Sequence, residues 1–113
     1  MNKFLISILS IFIFSSLTVD AAVYKGQSEY VKKCVKCHKA GQAFVATKKK
    51  REWSVLMKDK GQKLAEIHLE SEVKGVEDSH EYFESKIYSK NSKHLQDFLF
   101  EYASDSGNVP ACN

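Results

Sequence analysis

The five residues Cys34-Val35-Lys36-Cys37-His38 constrain this 113-residue chain more than any other stretch. Two thiols stand three residues apart, and an imidazole follows the second directly. Three chemistries use such a spacing. In the first, each sulfur adds to a vinyl group of a haem and the histidine ligates the iron. On one helical turn residues i and i+3 project to the same side, so both sulfurs reach neighbouring edges of a flat macrocycle. The second is a dithiol couple, whose motif normally follows a strand and opens a helix. The third is a zinc site, which needs four ligands. The residues before the motif follow a helical pattern, no alternating apolar strand flanks it, and no second Cys/His pair stands at zinc-binding spacing. The motif alone leaves all three open, and its context has to decide.

Context begins at the first residue. Met1-Asn2-Lys3 is a short positive start, Phe4 to Phe14 is an apolar run, and Val19-Asp20-Ala21 precedes a cleavage point after Ala21. That is the layout of a secretory signal peptide over residues 1–21. The run is shorter than the ~20 residues of a spanning helix, so no stable membrane insertion is expected after cleavage. Residues 22–113 then form one small domain. A chain this short buries a modest core and gains from a staple or cofactor. Its 17 basic residues exceed its 14 acidic ones by three, which two haem propionates would nearly offset. Such a charge points weakly to an acidic protein partner and not to nucleic acid. The dense cluster Lys48-Lys49-Lys50-Arg51 reads as a solvated loop or helix start.

Helical periodicity runs through most of the remaining chain. A first helix is expected from Tyr24 to Lys36, with Gly26, Tyr30 and Cys34 four apart on one face. Glycine costs a helix about 1 kcal/mol relative to alanine, so Gly26 implies another backbone close by. Gly41 opens a loop running to about Lys48. Lys50 to Lys60 is a second helix with Trp53, Leu56 and Met57 on its apolar face. Gly61 ends it, with Lys58 and Lys60 in the last turn. Leu64 to about Val73 reads as a short third helix on which Leu64, Ile67 and His68 share a face. Val76 to Lys93 is polar and ambiguous. The final helix is expected from His94, an exposed residue, with Leu95, Phe98, Leu99 and Tyr102 at helical spacing. The fold class is all-α.

Gly26, Tyr30 and the Cys34/Cys37/His38 motif, at these intervals, resemble the N-terminal helix of class I c-type cytochromes. Leu95, Phe98 and Leu99 resemble their C-terminal helix, where an aromatic crosses the N-terminal glycine. The resemblance implies a small cytochrome c-like fold of three to five helices around one covalently bound haem c, held by Cys34 and Cys37, with His38 on the iron. It also implies attachment outside the cytoplasmic membrane, and therefore a periplasmic protein. The chain departs from the family at the sixth iron ligand. The usual methionine follows a proline, whereas Pro110 lies after the last helix and Met57 within the second. By the family's spacing that methionine falls ~14 residues before Leu95, near position 81. His80 stands next to it and is the expected distal ligand, with Met57 and His68 as alternatives. Trp53 is expected beside the haem, donating its indole N–H to a propionate or packing on the ring. Tyr82, Phe83 and Tyr88 are expected to wall the pocket. Cys112 is left over, with a structural role or none assigned.

These features imply a one-electron carrier between redox proteins, not an enzyme, with Lys33, Lys36 and Lys39 steering an acidic partner. A haem-based ligand binder or sensor with an open distal position is the alternative from another class. A small subunit of a periplasmic oxidoreductase is a third. No residues are arranged for hydrolysis: Glu66, Glu70 and Glu72 read as a solvated helix face.

Overall fold

Gly26 shows how the chain closes on itself. A Cβ added there would collide with the carbonyl oxygen of His94 and lie 2.7 Å from Cβ of Phe98. The missing side chain lets helix α1 (Leu17–Lys33) lie directly against helix α4 (Lys86–Glu101), the most extensive contact between elements of the protein. In the computed structural model residues 17–109 are described. Most of the expected signal segment, Pro110 and Cys112 lie outside them. All elements of the described residues are helical, in the order α1, a 3-10 segment Gly41–Thr47, α2 (Lys50–Glu70), a 3-10 turn Val76–Ser79, α3 (His80–Glu84) and α4. None of these helices is long and apolar enough to cross a membrane.

One core joins them. Tyr30, Val45, Trp53, Met57, Tyr88, Leu95, Phe98, Leu99 and Ala103 are all buried to within a few per cent. Tyr30 and Phe98 pack ring to ring at 5.3 Å across the α1–α4 contact. The Tyr30 hydroxyl donates to the Gly41 carbonyl (2.9 Å), which fixes the 3-10 segment under the end of α1. Tyr30 stays a neutral donor, since burial, aided by Cys34, raises its pKa. At the other end of the core, the amide of Lys50 donates to Asp105 (2.9 Å) and the amide of Ser104 to the Lys48 carbonyl (2.9 Å). The chain after α4 thereby anchors the start of α2, where Glu52 also reaches back to the Lys49 amide (2.8 Å).

Three helix boundaries differ from the sequence pattern. α1 ends at Lys33, not Lys36, and the Cys34–His38 motif forms the turns that follow it. The second helix breaks at Lys58, and Asp59, Lys60 and Gly61 take left-handed backbone angles (φ 51°, 60° and 73°). Lys58 and Lys60 therefore sit in a turn that splits α2, not in a helical last turn. Two non-glycine residues there carry strain of roughly 1–2 kcal/mol each. Tyr88 holds the break by donating its hydroxyl to the Gly61 carbonyl (2.6 Å). α4 starts at Lys86, eight residues before His94, and Ser85 caps it by accepting from the Tyr88 amide (3.2 Å). His94 is consequently mid-helix and half-buried rather than exposed at a terminus. Its Nδ1 is buried without a hydrogen-bond partner among the described residues.

Candidate functional site

The Cys34–His38 motif leaves α1 in a chain of tight turns. The Cys34 amide donates to Tyr30 (2.8 Å), and the amides of Cys37 and His38 both donate to the Cys34 carbonyl (3.1 and 2.9 Å). This winding keeps Cys34 and Cys37 one turn apart, so the helical argument for their common direction survives the earlier helix end. Cys34 is half-buried, Cys37 is exposed, and both are free thiols. Both border a cavity of about 610 Å³, which His38 also lines. Cofactor and ligand sites commonly fall between about 300 and 1,000 Å³.

The cavity walls are mainly apolar. Phe44 and Trp53 approach from one side, Leu56, Leu64 and Ile67 from α2, Phe83 from α3, and Leu95 and Leu99 from α4. Lysines 33, 36, 39, 48 and 74 also border it. Trp53 is a wall, but its indole N–H donates to the Val45 carbonyl (2.9 Å). The indole N–H, expected on a propionate, has this carbonyl as its partner, and the ring itself is buried in the core. Of the three other aromatics expected around the pocket, Phe83 lines it, while Tyr82 and Tyr88 stand behind Phe83 at 5.2 and 4.9 Å between ring centres. The Tyr82 hydroxyl is committed to Glu29 (2.7 Å).

Two imidazoles meet in this cavity, and the second is His68. The rings of His38 and His68 are 6.2 Å apart between centres, at 77° to one another. Two imidazoles ligating one ion from opposite sides, each nitrogen about 2 Å from it and each ring centre about 1 Å further back, would be about 6 Å apart. Each ring rests on a phenylalanine: His38 on Phe44 (4.1 Å) and His68 on Phe83 (4.3 Å). Nδ1 of His68 lies 2.7 Å from the Leu64 carbonyl. A carbonyl can only accept, so Nδ1 carries the proton and Nε2 keeps its lone pair. His38 has its pKa lowered, first by burial and then by His68. A neutral ring is the form that binds metal.

The other two candidates lie elsewhere. His80 does not border the cavity; its Nε2 is 3.0 Å from the His68 carbonyl. Met57 is 2% exposed, packs in the core near Gly61, and does not border the cavity either. No protein family model, curated protein or solved structure matches this chain.

The thiols differ from a redox dithiol in a definite direction. Cys34 is pushed up to about 12 by burial first, then by Glu29 and Cys37. Dithiol oxidoreductases work through a thiolate of lowered pKa, often at a helix N-terminus. Cys34 instead follows a helix C-terminus, whose carbonyl dipoles disfavour an anion. Among the described residues no three His, Cys, Asp or Glu side chains converge as a metal site. Two thiols and two imidazoles thus border one largely apolar cavity, with His38 directly after Cys37 and His68 coming from α2.

Proposed function

We propose that this chain is a small cytochrome c-like protein that carries one electron between redox partners outside the cytoplasmic membrane. One haem c would be held by Cys34 and Cys37 through thioether bonds and by His38 and His68 on the iron. The observation that carries the reading is the His38–His68 pair, 6.2 Å apart on the cavity that both motif cysteines border. When bound, the group supplies a single iron that accepts and returns one electron, and imidazole in place of thioether favours a lower potential.

The remaining work falls to the protein's own side chains. Phe44 and Phe83 fix the planes of the two imidazoles, and the Leu64 carbonyl holds His68 in the tautomer with a free Nε2. Trp53, Leu56, Leu64, Leu95 and Leu99 exclude water and keep the local dielectric low, which tunes the potential. Exposed Lys33, Lys36 and Lys39 surround the motif and make its edge the docking face for an acidic redox protein. Small, weak interfaces suit such exchange.

A pyridine haemochrome assay on protein matured in a periplasm should return one haem per chain. Its oxidised spectrum should lack the weak far-red band of methionine-to-iron ligation. Protein that returns no haem would refute the proposal.

A further inference from the structure

We propose that His80 is a positioning residue for the distal imidazole, holding the backbone of His68 so that the His68 ring stays turned into the cavity. The inference rests on the pairing of His38 with His68, and the experiment below separates the two. His80 Nε2 lies 3.0 Å from the His68 carbonyl oxygen, and because a carbonyl can only accept, Nε2 carries the proton and donates. That carbonyl belongs to the last turn of α2, which ends at Glu70. The final four carbonyls of a helix have no partner within it, and here a side chain twelve residues later supplies one.

The same short helix grips His68 a second time. Phe83, three residues after His80 and therefore on the same side of α3, stacks on the His68 ring at 4.3 Å and 30°. One turn of α3 thus holds both the backbone and the ring of His68, and the Leu64 carbonyl fixes its tautomer from within α2. The connecting segment offers little support of its own. Gly75 turns with φ 92° and has nothing within 4 Å of where a Cβ would stand. Besides the His80 bond, the last turn of α2 is held by the stacked His68 ring and by Leu69, which packs partly buried against the core. Partners beyond the ligands fix ring orientation in metal sites generally.

The test uses haem-loaded protein as wild type and as His68→Ala, His80→Phe and His80→Gln. Two readouts apply: the electron paramagnetic resonance signal of the oxidised form and the rate at which the reduced form captures carbon monoxide. Wild type should give a low-spin bis-imidazole signal that His68→Ala abolishes while keeping the attached haem. His80→Phe, which keeps a ring but lacks the donor, should remain low-spin and capture carbon monoxide roughly three- to tenfold faster, the factor of one neutral hydrogen bond. His80→Gln, whose amide can donate from a similar reach, should return to the wild-type rate. In haem-free protein, amides of residues 69–72 should exchange faster in His80→Phe than in His80→Gln. A low-spin signal lost as completely in His80→Phe as in His68→Ala would make His80 a ligand and overturn the inference. Wild-type capture by His80→Phe, or capture by His80→Gln as fast as by His80→Phe, would overturn it too. A signal unchanged in His68→Ala would instead overturn the pairing of His38 with His68, and the inference with it.

Discussion

Gly26→Ala sets two effects of opposite sign against each other. In an isolated helix the change gains about 1 kcal/mol of propensity. In this protein the new Cβ meets the His94 carbonyl oxygen, and Cβ of Phe98 at 2.7 Å. Neither obstacle is the far end of a flexible side chain, so relief requires α1 and α4 to separate. Overpacking costs about 1–3 kcal/mol, and a backbone obstacle puts this case at the upper end. The net expectation is a loss of about 2 kcal/mol, or roughly 8–16 °C in Tm for a domain of this size. Thermal melts followed by far-ultraviolet circular dichroism, on the same preparation as wild type, measure it. A variant as stable as wild type or more so would mean that propensity wins and that the α1–α4 contact at Gly26 does not exist.

Other positions give further expectations. Tyr88→Phe leaves the buried Gly61 carbonyl without its 2.6 Å donor and should cost about 1–3 kcal/mol in urea titrations; an unchanged midpoint would mean that the break in α2 needs no support from α4. Asp105 has its carboxyl pKa lowered, chiefly by the Lys50 amide. A depressed folded-state pKa adds stability above the unfolded value and loses it as pH falls through the folded one. The Tm gap between wild type and Asp105→Ala should therefore be widest near neutrality and close in acid, and a gap independent of pH would contradict the contact. Replacing Lys36 and Lys39 together by Glu should slow electron exchange with an acidic redox protein and flatten its ionic-strength dependence; equal rates at low salt would remove the motif edge as the docking face.

Much of this fold can be read from residue pattern because packing and pattern agree at particular places. A glycine inside α1 made sense only if another backbone came close, and His94 and Phe98 of α4 are that neighbour. Trp53, Met57, Leu95, Phe98 and Leu99 stand at helical spacing and form the core. The start of α4 was hidden because its buried face runs Tyr88, Ser92, Leu95, Leu99. Ser92 reads as solvent-facing, yet it is buried with its hydroxyl donating to the Ser89 carbonyl (2.9 Å). The left-handed Asp59 and Lys60 had no signal beyond the glycine after them, since their conformation is held from Tyr88, distant in sequence.

The site divides in the same way. Cys34, Cys37 and His38 are consecutive enough for chemistry to be read from spacing. The residue opposite His38 depends on where α2 breaks and how the 71–79 segment returns, and neither is encoded locally. Counting back from Leu95 leads to His80. In the fold, His68 borders the cavity and His80 lies on the His68 carbonyl. A local clue did exist, because His68 shares the Leu64 and Ile67 face, and all three border the cavity.

If His38 and His68 both hold the iron of an attached haem, as proposed, the 6.2 Å pair of rings has a spectroscopic signature. Electron paramagnetic resonance of the oxidised protein, matured where haem is attached to Cys-x-x-Cys-His motifs, tests it most directly when wild type is compared with His68→Ala. One haem per chain is expected in both, with a low-spin bis-imidazole signal in wild type and its loss in the variant. A chain without haem, a methionine-ligated signal, or a bis-imidazole signal that survives in His68→Ala would contradict it.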